Sequence, residues 1–298
     1  MAFGRRKSQT KKQERHLAEH LAATLPALFL QAEQLASTVS TGIHGRHKSG
    51  TGEDFWQFRP YAHGDSAGEI DWRQSAKREN PFVRQHELET NESVWLWLDK
   101  SLSMTYGSPR SEFTKLESAR VFYLALALLL HRSYEDYALL VSGERSSHGP
   151  AHIDHFAELL LQTHPTEFGS RLLEGNVPRQ SRIVIASDFL MPLEKLKINL
   201  EAAAASGSRG ILLHIADPAE VTLPFKGRVR FTDLDGANDL TIGHVENIRD
   251  EYQQLFRQHK SSVEQLASEF NWTYIFHQTA DNPAETLVSL FRRLSGKN

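Results

Sequence analysis

The segment V-W-L-W-L-D-K-S-L-S, Val94 to Ser103, decides how the rest of the chain reads. Five consecutive apolar residues suit a short strand buried on both faces, as in the centre of a parallel sheet. The run stops at Asp99, and Ser101 and Ser103 follow at alternate positions in what reads as one tight turn. A second run of the same kind, R-I-V-I-A-S from Arg182 to Ser187, is followed by Asp188. A third, I-L-L-H-I-A from Ile211 to Ala216, makes three central strands. Ligands of open parallel sheets bind outside the carboxyl ends of the strands, so both aspartates stand where a site is expected.

Outward from these strands, helical and extended patterns alternate. Helices are predicted at Glu117 to Arg132, His152 to Gln162, Leu193 to Ala205 with Gly207 as C-cap, Val245 to Phe270, and Pro283 to Leu294. Tyr137 to Val141 and Trp272 to Phe276 read as further strands, and Val221 to Leu234, with Gly227 in its middle, as a hairpin. The alternation predicts an α/β fold, a doubly wound and mostly parallel sheet. Before it, a helix is expected from about His16 to Ser37, kinked or split by Pro26. Thr41 to Thr90, punctuated by Gly42, Gly45, Gly50, Gly52 and Gly64, reads as a β-rich extension. The organisation expected is a basic disordered tail over 1–15, a helix and β-extension over 16–92, and the α/β domain over 93–298.

Composition narrows the function. The 298 residues carry a formal charge of −3, with no domain-wide basic excess to meet nucleic-acid phosphates. No cysteine is present, which removes disulfides, thiolate zinc sites and Cys nucleophiles. No apolar stretch is long enough for a transmembrane segment, and a cytoplasmic location is expected. The basic start, MAFGRRKSQTKKQER, offers at most a membrane-surface or RNA contact.

Asp99, Ser101, Ser103 and Asp188 are oxygen donors only, small and partly neutral. Such a set suits Mg²⁺, or Mn²⁺, in an octahedron that keeps some waters. Hydroxyls in place of further carboxylates leave the ion under-neutralised, so it would attract an acidic group from a partner. The alternative is that Asp99 and the serines only cap the following helix. His44, His47 and His63 fit no standard metal-ligand pair on one helix face and read as scattered surface residues. Arg59, Asp65, Asp71, Arg73, Lys77 and Arg84, around Tyr61 and Trp72, read as an ion-pair network or, functionally, as a recognition surface.

The D-x-S-x-S arrangement resembles the metal-ion-dependent adhesion site of von Willebrand factor A domains. There it is joined by a Thr and an Asp from two other loops. Asp188 matches the Asp; for the Thr, Thr166 in P-T-E-F-G (Pro165 to Gly169) is the candidate, with Thr163 behind it, in a loop that departs from the usual glycine-rich form. A longer string is similar to the bacterial DUF58 family. It comprises R-P-Y-A-H-G-D-x-x-x-x-I-D-W-R-x-S-A-K (Arg59 to Lys77), V-R-Q-H-E-L-E (Val83 to Glu89), L-D-K-S-L-S-M, Lys115 to Ala119, Asp217 to Glu220, and Pro224 to Asp235. That resemblance implies a von Willebrand A-like domain with an N-terminal β-extension. It also implies an adaptor that works with a MoxR-type AAA+ ATPase on an unidentified protein target. Many relatives carry two N-terminal membrane helices, and this chain looks like the short cytoplasmic type.

The function expected is therefore metal-dependent protein binding, not catalysis. The enzymatic alternative is a Mg²⁺-dependent phosphatase or phosphotransferase with Asp99 as nucleophile. Such enzymes place a second Asp two residues on as general acid, and here that position is Ser101. The phosphate-binding signatures G-x-x-x-x-G-K-[ST] and G-x-G-x-x-G are missing from the chain.

Overall fold

A computed structural model of the chain describes residues 26–40, 55–61, 75, 81–86, 93–140, 144–162, 178–232 and 239–294. The chain divides into two units: Ile43–Asn91, and Met1–Gly42 together with Glu92–Asn298. In the smaller unit, strands β1 (Phe55–Pro60) and β2 (Phe82–His86) pair antiparallel, with a register break between Phe55 and Gln57. The Tyr61 N–H donates to the Pro81 carbonyl at 2.8 Å and closes the ribbon.

The larger unit begins with helix α1, residues 26–40. It buries Leu28, Ala32, Leu35, Ala36 and Val39, a spacing that forms one helical stripe. Pro26 is its first described residue, so the predicted stretch before Pro26 lies outside the described residues. At the other end the helix runs to residue 40, past the Ser37 expected.

Five strands then form one parallel sheet: β3 (Val94–Leu98), β4 (Tyr137–Leu139), β5 (Arg182–Ser187), β6 (Arg209–Ala216) and β9 (Thr273–Gln278). Their spatial order is β4-β3-β5-β6-β9, and every pair is parallel. The strand order reverses between β3 and β5, which makes the carboxyl ends of those two strands the switch point at which open α/β sheets bind their ligands.

Helices cover both faces. Helix α2 (Lys115–Arg132) starts on a capping box, in which Thr114 Oγ1 accepts from the Glu117 N–H and Glu117 accepts from the Thr114 N–H. It buries every residue from Phe122 to Ala127, so it is enclosed on nearly all sides. Helices α3 (Pro150–Leu161) and α7 (Pro283–Leu294) pack beside it. On the opposite face, Trp95, Trp97, Ile183, Ile185 and Leu212 form one core with residues of helices α4 (Leu193–Ala205) and α6 (Arg249–Glu269). The intervening strand residues Leu96 and Val184 are equally buried, as the continuous apolar runs require. The doubly wound parallel architecture expected from the sequence is the one observed.

The hairpin expected over Val221 to Leu234 is not formed. Asp217 and Glu220 make a capping box around Pro218 and start a short helix, α5 (Pro218–Thr222), which ends at Leu223 in the left-handed region. Gly227 (φ +70°) lies in the turn that leads into strand β7 (Val229–Thr232), which pairs with β8 (Asp239–Ile242). Capping chemistry at Asp217 outweighs the local strand pattern. Among the described residues, no helix is long and apolar enough to cross a membrane.

Two positions make the fold testable. A Cβ at Gly210 would stand 2.1 Å from the Ile183 carbonyl and 2.7 Å from the Trp272 ring, so Gly210→Ala should cost about 2 kcal/mol or more in urea unfolding. His277 lies in the core, its Nδ1 3.0 Å from Thr286 Oγ1 and its ring edge-on to Phe122. Burial pushes its pKa down to about 4, whereas an unfolded histidine titrates near about 6.5. The unfolded state therefore binds the proton first, and stability held above about pH 6.5 is lost on acidification toward pH 4. His277→Leu should flatten the stability–pH slope in that window by roughly 1 kcal/mol per pH unit, read from urea midpoints. An unchanged slope would contradict a neutral buried ring.

Candidate functional site

The crevice between β3 and β5 is built from the residues that stop those strands. The Asp99 N–H donates to the Ala186 carbonyl at 2.9 Å, which fixes the two strand ends in register. Tyr123 of α2 holds them from beneath: its hydroxyl shares its hydrogen between the carbonyls of Trp97 and Val184, at 2.7 and 2.9 Å. Asp99 and Asp188 are both buried, 3% exposed each.

Both oxygens of Asp99 are oriented internally. The Ser101 N–H donates to Oδ1 at 2.9 Å and the Ser187 hydroxyl to Oδ2 at 2.6 Å. Burial raises the Asp99 pKa; the bonds from Ser187 and Ser101 work against the rise, and the charge of Asp188 adds to it. Past Asp99 the chain makes a turn of 3₁₀ helix, Leu102–Thr105, with Ser101 as its N-cap but without a side-chain capping bond. The serine hydroxyls instead face each other, Ser101 Oγ and Ser103 Oγ being 3.0 Å apart. The sequence alternative, a pure capping role for these serines, does not describe this geometry.

Lys115 completes the cluster. Its side chain is fully buried (0% exposed), and its Nζ donates to Asp188 Oδ2 at 2.8 Å and to Glu220 Oε1 at 2.5 Å. The Tyr106 ring lies 5.9 Å from the ammonium. Burial opposes its charge, but Asp188 and Glu220 outweigh burial and hold its pKa above the ordinary lysine value. Behind it, Asp217 Oδ2 accepts from the Ser108 N–H at 2.9 Å and from the Ser111 hydroxyl at 2.8 Å, and Ser111 meets Thr279 Oγ1 at 2.7 Å. The loop between β3 and α2 is thereby pinned to the ends of β6 and β9. On the other flank, Lys100 Nζ donates to the Leu159 and Gln162 carbonyls, at 2.8 and 3.0 Å, and caps the end of α3. Burial lowers its pKa to about 8.

Of the five residues expected from the sequence as metal ligands, Asp99, Ser101 and Ser103 are linked by hydrogen bonds, and Asp188 follows the neighbouring strand, near enough for its charge to act on Asp99. Thr166, and Thr163 behind it, lie outside the described residues. So do His44, His47 and His63, and Asp65, Asp71, Trp72, Arg73 and Lys77 of the charged segment. The Ser101 and Ser103 hydroxyls are hydrogen-bonded to each other, at a separation that two ligands of a small hard cation would also have. Two oxygens at adjacent vertices of an octahedron with bonds of about 2.1 Å are about 3.0 Å apart, the separation of the two serine hydroxyls. Among the described residues, no group of three or more His, Asp or Glu side chains is arranged to hold a metal. A cation here would therefore depend on the serines. Lys115, Ser187 and Glu220 were not expected as site residues. Lys115 and Glu220 fall in segments that carry the family resemblance, but nothing in their spacing announces that a lysine 16 positions after Asp99 folds back onto Asp188.

The family described as protein of unknown function DUF58 matches residues 57–262. The uncharacterized proteins Rv1480 of Mycobacterium tuberculosis and Mb1516 of Mycobacterium bovis are each 27% identical over 257 residues, covering 82% of this chain and 80% of theirs. Two solved structures are similar at lower identity. An aerotolerance-related membrane protein from Bacteroides fragilis shows 18% identity, a TM-score of 0.43, and coverage of 68% of this chain and 98% of its own. The conserved hypothetical protein BatB from Bacteroides thetaiotaomicron shows 15% identity, a TM-score of 0.42 and the same coverage. With its family match spanning the β-ribbon, the strand-end crevice and most of the parallel sheet, the chain belongs to the DUF58 family.

Proposed function

We propose that this protein is a cytoplasmic interaction module whose von Willebrand A-like domain binds a partner through a divalent metal, Mg²⁺ or Mn²⁺. Asp99, Ser101, Ser103 and Asp188 would hold the ion. Its chemistry when bound is electrostatic: it presents a positive centre to an acidic group of the partner. The observation that carries the reading is the pair of serine hydroxyls 3.0 Å apart at the switch point of the sheet. Support comes also from the rim, where Leu102 (45% exposed) and Leu190 (58% exposed) flank the two aspartates and offer apolar contact beside the charge.

Binding is favoured over hydrolysis for two reasons. Each Asp99 oxygen already accepts an internal hydrogen bond, which suits an oriented ligand better than an attacking nucleophile. Ser101 stands where a general acid would be needed. The resemblance noted in the sequence adds the class of partner: a MoxR-type AAA+ ATPase, with the module selecting or delivering a protein target to it.

Ser103→Ala removes one donor without touching the bonds that hold Asp99, and Asp99→Ala removes the anchor of the turn. Both should reduce partner capture in Mg²⁺ about tenfold or more, to the level wild type shows in chelator. The check is a pull-down with the cognate ATPase as bait, in Mg²⁺ and in EDTA. Equal capture in all arms would contradict the proposal, and phosphoester hydrolysis lost in Asp99→Asn would favour the enzymatic reading.

A further inference from the structure

A lysine with no exposed surface is expensive to bury, and it stays charged only where carboxylates surround it. Here the ammonium lies between Asp188, a ligand of the metal site proposed above, and Glu220, which is not one. Asp188 therefore has two claimants: the cation on the serine side and the lysine on the other. Its Oδ2 is on Lys115, while Oδ1 accepts a longer bond, 3.2 Å, from the Leu190 N–H.

We propose that Lys115 is a built-in competitor of the divalent cation, sharing Asp188 with it and thereby setting how tightly the site holds metal. The inference rests on the metal reading. Glu220 is the second half of the device. It gives the ammonium a place to remain when Asp188 turns to the cation, and the Tyr106 ring lines the same side. Asp188 and Glu220 hold the one ammonium, and Asp99 stands near enough for the charge of Asp188 to act on it, so the cluster retains net negative charge for a cation to neutralise, but less than it would without the lysine. A cation whose Asp188 ligand is shared stays electron-poor, and its affinity rises when an anionic group of a partner completes the shell. In this way Lys115 makes metal and acidic partner bind together more tightly than either alone. The geometry also carries the state of the site to α5, because Glu220 belongs to the capping box that starts that helix.

The test is Mn²⁺ titration of the full chain, with free Mn²⁺ read by electron paramagnetic resonance, in wild type, Lys115→Met and Glu220→Gln. Lys115→Met should bind Mn²⁺ about tenfold or more tighter, because Asp188 is freed. Glu220→Gln retains an oxygen for the capping bond but leaves the ammonium to Asp188 alone, so it should bind Mn²⁺ at least about threefold more weakly. It decides the matter if Lys115→Met does not fold. Wild-type affinity in Lys115→Met, or unchanged or tighter binding in Glu220→Gln, would overturn the competitor role and leave the metal reading standing. Saturable binding in Lys115→Met but not in wild type would support the competitor and remove the metal from the wild-type function. Absence of binding in all three overturns both.

Discussion

One buried ion pair fixes the arrangement of this domain: the Lys115 ammonium between Asp188 and Glu220. It joins the start of α2, the end of β5 and the first turn of α5, three elements far apart in sequence. Removing a charge from water is unfavourable by several kcal/mol unless close partners replace the solvent. Once the lysine is enclosed, the two carboxylates must be there, so the strand end, the α2 N-terminus and the capping box cannot shift independently. The same constraint reaches the strand ends, because Asp188 is both the partner of the lysine and the residue that follows β5.

Around this pair, the crevice combines rigidity with incomplete neutralisation. Tyr123 and the Asp99–Ala186 bond hold β3 and β5 together from the protein side. Asp217 and Lys100 anchor the loop beyond Asp99 on its two flanks. The hydroxyls of Ser101 and Ser103 are left facing each other at a strand-end opening. Neutral donors on a stiff frame suit a cation that must keep positive character toward a partner, whereas a cage of carboxylates would bury that charge.

Much of the fold was legible because its strands are short uninterrupted apolar runs. Val94–Leu98 and Arg182–Ser187 are strands over the residues read from the sequence, and Leu193–Ala205 is the predicted helix to the residue. The placement of Asp99 and Asp188 just past two neighbouring central strands was legible for a related reason: a polar residue that follows a doubly buried strand marks where the strand stops. What the sequence did not reveal depends on tertiary geometry. The hairpin expected around Gly227 fails because Asp217 and Glu220 cap a helix first, and the partner of β7 comes from residues 239–242. Lys115 escaped because its role is a long-range pairing; its local context is an ordinary first turn of a helix, where a cation is if anything disfavoured by the helix dipole.

The central claim is that the serine pair and the strand-end aspartates hold a divalent cation. Anomalous diffraction from crystals grown in Mn²⁺ measures this directly. The account predicts a peak about 2.1 Å from both Ser101 Oγ and Ser103 Oγ, with Asp188 turned toward it and Lys115 remaining on Glu220. Density without such a peak at saturating Mn²⁺, with Lys115 still bridging Asp188 and Glu220, would contradict it.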